Sequence, residues 1–255
     1  MKGSQAGGMR NDLERESAVA AVHCRRTRRG WRLWQHGTVL SEVLTHPGPT
    51  HSVFDVLAAA ADLHPAPRTM AVLGMGGGSL VMALRALGQR CRVEGVDWDD
   101  RGWQLLGRYR SGLEPIRWHQ GEATAWLRRR RRRFDVVVED LSVGVNGDVT
   151  KPEVTWTTLP HWVRCRLAPE GWVVWNLLCP PGRSWAWVER EWVGCQGRGW
   201  WVTFDDFDNR LWLVPGRNGV SGPVPDARVI GRELRRRLER LGSRMATGWR
   251  VRAMG

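Results

Sequence analysis

The sequence predicts an α/β protein of the Rossmann-like type: a seven-stranded, mostly parallel sheet with a C-terminal antiparallel hairpin, preceded by a small N-terminal β-hairpin. Three observations carry this. From Thr69 onward, short apolar runs alternate with helical patterns of about ten residues, the rhythm of a parallel sheet covered on both faces. The first of these runs ends in Gly74-Met75-Gly76-Gly77-Gly78-Ser79. Late in the chain the rhythm breaks, because Trp200–Asp205 and Arg210–Val214 are separated only by Asp206-Phe207-Asp208-Asn209, too short a link for a crossover helix.

The elements follow in order. Residues 1–30 are polar and basic without a sustained period and read as a flexible tail. Trp31 to Leu44 alternates around Gly37, the pattern of a hairpin, and His51 to Leu63 has helical spacing closed by His64-Pro65-Ala66-Pro67. Strands are expected at Thr69–Met75, Cys91–Asp97, Ile116–His119, Phe134–Glu139 and Gly171–Leu178. Helices are expected at Gly78–Leu87, Arg101–Tyr109, Ala123–Arg131, Glu153–Leu167 and Ser184–Trp192. The antiparallel hairpin is expected at the sheet edge. A Gly/Pro-rich loop, Gly216–Pro225, then leads into an Arg-rich helix, Asp226–Leu241, with Asp226 as N-cap. The expected units are therefore a tail over 1–30, a hairpin and helix over 31–66, a nucleoside-binding domain over 67–215 and an Arg-rich helix and tail over 216–255.

Composition narrows the class further. With 255 residues, 42% hydrophobic and 25% charged, the chain is neither disordered, collagenous nor disulfide-rich. No apolar run approaches the roughly 18 to 20 residues of a membrane span, and no leader pattern is present, so a cytoplasmic protein is expected. The five cysteines are scattered, without CxxC pairs or zinc-ligand spacing, and no metal is expected. The formal net charge is +13, and all the basic residues except Lys2 and Lys151 are arginine. Phosphate neutralisation by nucleic acid and a merely compositional arginine bias both account for that excess. The run Arg128–Arg133 is expected at the bottom of the sheet, away from any cleft. Arg232, Arg235, Arg236, Arg237 and Arg240 of the last helix are the better candidates for an electrostatic surface. Ten tryptophans, including Trp175, Trp192, Trp200, Trp201 and Trp212, fall on expected core elements.

In an open parallel sheet, ligands bind beyond the carboxyl ends of the strands. Four successive strand ends carry suitable residues. The first has the glycine run, which permits a tight turn and close backbone approach. The second has Asp97, 19 residues beyond Gly78, where an acid accepts ribose hydroxyls. The third has Gly121-Glu122, with Glu122 placed for an exocyclic amine, and the fourth has Glu139-Asp140, of which strand alternation turns only one toward the cleft. Plainer roles are open for each: helix-on-strand packing for the glycines, an N-cap for Asp97, and a favourable helix-dipole contact for Glu122.

These residues resemble the polyamine aminopropyltransferases (spermidine synthase-like proteins) within the Rossmann-like S-adenosylmethionine-dependent transferases. The resemblance spans roughly Trp31 to Val214. It is carried by Val72 to Leu80, Val96-Asp97-Trp98-Asp99, Gly121-Glu122-Ala123, Phe134 to Asp140 and Leu167 to Val174. It implies S-adenosylmethionine or its decarboxylated form as cofactor. Gly74, Gly76, Gly77, Gly78 and Ser79 would line its nucleoside and amino-acid portions, Asp97 and Trp98 its ribose side, and Glu122 and Ala123 its adenine. Asp140 would face the attacking amine and take its proton, the step of an in-line displacement at a carbon attached to sulfonium.

The expected activity is aminopropyl transfer to a small-molecule amine or other nucleophilic acceptor. Methyl transfer to a small molecule or RNA, and a non-catalytic nucleoside-binding homologue, are the alternatives; a homodimer is compatible with all three. The chain departs from the family on the acceptor side. Leu40 stands where the family has Gln, Val53-Phe54 replaces Tyr-His and leaves Asp55 for Glu, and Val143-Gly144 replaces the second acid and Pro of the D-x-x-D-P loop. Most carboxylates that would hold a polycation are missing, and a +13 chain repels one.

Overall fold

The computed structural model describes residues 23–35, 38–109, 112–145, 148–216 and 225–254. Residues 1–22 of the tail expected over 1–30, the Gly37 turn and loop residues 217–224 lie outside them.

Strands β1 (His23–Thr27), β2 (Gly30–Gln35) and β3 (Thr38–Leu44) form a three-stranded antiparallel sheet. The expected hairpin is β2–β3. β1 is an addition to the expected elements: the arginines of residues 23–27 interrupt any apolar alternation, and pairing with β2 along one edge is what makes them a strand. Within the hairpin Leu33 pairs with Ser41 and Trp34 with Val39, so Leu40 is the extra residue of a β-bulge. Helix α1 (Val53–Ala61), buried along its whole length, follows.

The main sheet contains β4 (Thr69–Leu73), β5 (Arg92–Asp97), β6 (Ile116–Gln120), β7 (Phe134–Glu139), β10 (Leu167–Leu177), β11 (Gly199–Phe204), β12 (Arg210–Pro215) and β13 (Trp249–Met254), in the order β13-β11-β12-β10-β7-β4-β5-β6. All seven expected strands are present, and the five from β10 to β6 run parallel. An eighth, β13, was not foreseen. It pairs antiparallel with β11, so the β11–β12 hairpin sits inside the sheet and β13 forms the edge. Six residues of Trp-Arg-Val-Arg character have little strand signal alone; β11 supplies the ladder, and buried Trp249 anchors it by donating Nε1–H to Met245 O at 2.7 Å. A short ladder, β8 (Val143–Val145) with β9 (Asp148–Thr150), follows β7.

Crossover helices α2 (Ser79–Ala86), α3 (Arg101–Leu106) and α4 (Ala123–Arg129) match the expected periods. The single helix expected from Glu153 to Leu167 is instead two, α5 (Glu153–Trp156) and α6 (Leu159–Arg166), because Pro160 lacks an N–H and belongs in the first turn of a helix. The next crossover has three pieces, α7 (Trp185–Trp187), a π-helical segment Val188–Val193 and α8 (Gly194–Gln196). Helix α9 (Ala227–Leu241) starts at Asp226, whose carboxylate caps it by accepting from Arg228 N at 2.8 Å.

Strand alternation divides the core in two. Met70, Val72, Val136, Val138 and Trp200 pack under α1, α2 and α9, while Ala71, Leu73, Val137, Trp175 and Trp201 pack under α4, α6 and the π-helical segment. Of the ten tryptophans expected on core elements, Trp175, Trp192, Trp200, Trp201 and Trp212 are buried, while Trp156, Trp162, Trp172, Trp185 and Trp187 are half-buried against the core.

The arginines are mostly knitted into the fold. Arg132 pairs with buried Glu94, Arg133 donates to Leu167 O at 2.9 Å, and the Arg130 guanidinium lies 4.4 Å from the Trp126 ring centre. On α9, read as an open electrostatic surface, Arg237 bonds Asp62 at 3.0 Å and Glu233 at 2.7 Å, Arg240 bonds Asp62 at 3.2 Å, and Arg236 bonds Glu233 at 3.2 Å. The two Asp62 pairs tie α9 to the end of α1, and the Glu233 pairs lie within α9. Among the described residues no helix is long and apolar enough to cross a membrane, and no cysteine pairs with another.

Candidate functional site

The strand order reverses direction between β4 and β7, the place where an open α/β sheet leaves a crevice at its carboxyl edge. Gly74 N donates to Val96 O at 2.9 Å and Asp140 N to Leu73 O at 2.7 Å, so the ends of β4, β5 and β7 are drawn together. Gly74 has φ +83°, and a Cβ there would lie 2.5 Å from Asp140 O; only glycine fits. A cavity opens at this point. Of the residues singled out in the sequence, Gly74, Gly76, Ser79, Asp97, Trp98, Glu122, Ala123 and Asp140 line it.

Gly77 and Gly78 do not. A Cβ on Gly77 would meet Val43 Cγ2 at 2.5 Å, and one on Gly78 would meet Leu106 Cδ2 at 2.8 Å. They let β3 and α3 approach the turn, which is the packing role. Ser79 borders the cavity, but its hydroxyl is engaged elsewhere. It accepts from Glu42 N at 2.6 Å and donates to Glu42 O at 2.9 Å, so the neighbouring Ser41 hydroxyl must be the donor in the 2.9 Å contact between them. Ser41 Oγ in turn accepts from Gly77 N at 2.8 Å. The N-terminal sheet is thereby clasped to the glycine turn.

Asp97 Oδ2 accepts from Gly76 N at 2.7 Å and Oδ1 from Asp99 N at 3.2 Å, which aims the carboxylate along the cavity wall with lone pairs to spare. Burial raises its pKa, against the pull of the Gly76 and Asp99 amides. Trp98 beside it is 40% exposed. Glu122 caps α4, its two oxygens accepting from Thr124 N and Ala125 N at 2.6 Å each. The plainer role open to it in the sequence is therefore filled, although the residue still lines the cavity.

Asp140 differs. Its Oδ1 accepts from Asn176 Nδ2 at 2.6 Å, and Oδ2 receives no hydrogen bond from the described residues. Burial pushes its pKa up to about 7; Lys151 and the Asn176 bond pull downward, and Glu139 and Asp97 add to the rise. Glu139, on the other face of β7, is fully buried and bonded to Lys151 Nζ at 2.9 Å and Thr155 Oγ1 at 3.1 Å. Sequence reasoning missed Asn176 and Lys151. The signal was a polar residue inside an apolar strand and one of only two lysines in the chain.

The residues fit a nucleoside. An acid at the end of β5 stands beside an exposed indole, and a Cβ on Gly121 would meet nothing within 4 Å, so the cavity is open beside Glu122. The segment after β7 adds mostly apolar lining, Leu141, Val143, Pro152 and Val154 beside Ser142, and Leu40 at the bulge and Phe54 line the cavity as well. Among the described residues no group of three His, Cys, Asp or Glu side chains is placed to hold a metal.

No family model matches the chain, and no curated protein matches it by sequence. Solved structures do match. A probable spermidine synthase from Corynebacterium glutamicum aligns with TM-score 0.64 and 14% identity, covering 90% of this chain and 86% of that one. Human methyltransferase-like protein 13, in complex with SAH, aligns with TM-score 0.56 and 17% identity over 74% of this chain and 91% of its own. A spermidine synthase in complex with the transition state analogue AdoDATO aligns with TM-score 0.54 and 13% identity over 79% and 76%. The chain thus has the Rossmann-like fold shared by spermidine synthases and S-adenosylmethionine-dependent methyltransferases.

Proposed function

We propose that this protein is a group-transfer enzyme that binds S-adenosylmethionine or its decarboxylated form and passes an alkyl group to a nucleophile deprotonated by Asp140. The observation that carries the reading is Asp140 itself: a carboxylate with one oxygen held by Asn176, the other open to the cavity, and a pKa near neutrality. A base is most effective when its pKa lies near the working pH. The ligands held by two of the similar structures support the nucleoside half of the proposal.

When bound, the cofactor supplies an electrophilic carbon attached to sulfonium. Asp97 would accept from the ribose hydroxyls, Trp98 would cover the nucleoside at the rim, and Gly74 and Gly76 would let it approach the backbone. Asp140 would orient the nucleophile and take its proton, so that proximity and general base action carry the rate. Aminopropyl transfer to an amine is the first form of this reading. Methyl transfer is the second, favoured by Leu40 and Val143 on the acceptor wall in place of groups that would hold a polycation.

Calorimetry with S-adenosylmethionine, its decarboxylated form and methylthioadenosine tests the proposal. Binding of methylthioadenosine and of one of the other two is expected, and the tighter of these two names the group transferred. Asp97→Ala is expected to weaken all of them at least about tenfold. No binding by any of the three would refute it.

A further inference from the structure

We infer that the acceptor held beside Asp140 is a neutral molecule with an apolar body and one attacking N–H or O–H group, selected by Leu40, Phe54 and Val143. This inference rests on the group-transfer reading above. In the sheet order, β5 and β6 lie on one side of β4 and β7 on the other, so the segment after β7 borders a different part of the cavity from Asp97 and Glu122. The segment after β7 contributes Leu141, Ser142, Val143, Pro152 and Val154 there, and Phe54 of α1 and Leu40 at the bulge of β3 line the same cavity. The bulge matters because regular pairing would place one residue opposite each of Leu33 and Trp34; the extra residue is the one turned into the cavity.

Charge points the same way. The acids near this wall other than Asp140 are already committed. Glu139 is buried against Lys151 and Thr155, and Asp55 is buried with Oδ1 accepting from Thr50 N at 2.7 Å and Oδ2 from His51 N at 2.8 Å. The Ser41 hydroxyl is engaged by Gly77 and Ser79. Lys151 adds a cation close enough to act on Asp140. An acceptor carrying further positive charges would find one carboxylate, the Ser142 hydroxyl and otherwise apolar side chains after β7, and would lose hydration without full replacement. A neutral, apolar-bodied acceptor would lose water only from its attacking group, where Asp140 can accept in its place.

With the cofactor bound, the nucleophile's lone pair would form the new bond to carbon, the carbon–sulfur bond would break with its electron pair going to sulfur, and Asp140 Oδ2 would take the nucleophile's proton.

The test measures binding of 4-propylaniline and of 1,4-diaminobutane to the full chain, each with and without saturating methylthioadenosine. 4-Propylaniline is expected to bind at least about tenfold more tightly than the diamine. Val143→Asp and Leu40→Asp are each expected to cut its affinity about tenfold or more while leaving methylthioadenosine binding within about threefold. Val143 and Leu40 are both partly exposed, so either variant can be accommodated by the fold. Preference for the diamine, or 4-propylaniline binding that neither variant changes, overturns the inference and leaves the group-transfer reading standing if methylthioadenosine binds. Variant-sensitive 4-propylaniline binding in a chain that ignores methylthioadenosine supports the apolar acceptor site and removes the nucleoside instead.

Discussion

Asn176 donates to Asp140 at 2.6 Å and is itself held by Asn209, whose Nδ2 donates to Asn176 Oδ1 at 3.0 Å. The relay runs from the turn before β12 through the end of β10 to Asp140 just after β7. It fixes which Asp140 oxygen is free, and it favours the charged form of the carboxyl.

Replacing Asn176 with Ala removes that stabilisation, so the pKa of Asp140 should rise above about 7. The acid limb of kcat against pH is expected to move upward by up to ~1 unit, with activity recovering at alkaline pH. An unshifted limb would show that Asp140 is not the titrating base.

Asp140 also couples stability to pH. Its folded pKa of about 7 lies above the ordinary 3.8, so between those values the folded chain keeps a proton that the unfolded chain has lost. Stability from this group therefore falls as pH rises through the window, and the full cost is present above it. Asp140→Asn should stabilise the protein by up to ~4 kcal/mol near pH 8 and by little near pH 4, while abolishing turnover. Urea unfolding at the two pH values checks this, and an equal change at both would reject the assignment.

Glu139 and Lys151 form a buried ion pair 2.9 Å apart. Lys151→Met should destabilise by ~3–5 kcal/mol, because it leaves a buried carboxylate without its cation. Adding Glu139→Leu should recover most of that loss, since the cost lies in the unpaired charge. The single variant should also raise the pKa of Asp140, which Lys151 holds down. Thermal melts and the pH–rate profile read the two effects separately.

Ser79→Ala would unfasten the N-terminal sheet from the glycine turn. Glu42 N, buried, loses its acceptor, and the expected cost is ~1–3 kcal/mol. Chemical denaturation measures it, and a loss below about half a kcal/mol would mean the clasp is replaceable by water.

The alternation of apolar runs and helices, the glycine turn and the acids at strand ends were legible because parallel strands place successive carboxyl ends at one edge. Local pattern and global position then agree, and Asp97 and Asp140 reach the cavity as read. The departures at Leu40, Phe54 and Val143 were legible as replacements, but not as one wall.

That wall required the bulge in β3, the burial of α1 and the ladder after β7, none of which has a local signature. Gly77 and Gly78 could not be separated from Gly74 and Gly76 in sequence, since a glycine run does not say which members face a ligand and which admit a neighbouring side chain. Lys151 and Asn176 found their partners across the sheet, and β13 became a strand only because β11 offered an open edge. The sequence alone determined the order of the elements and the chemical types at the strand ends; the tertiary structure decided which carboxylate stays free to titrate, because hydrogen bonds and burial are set by contacts distant along the chain.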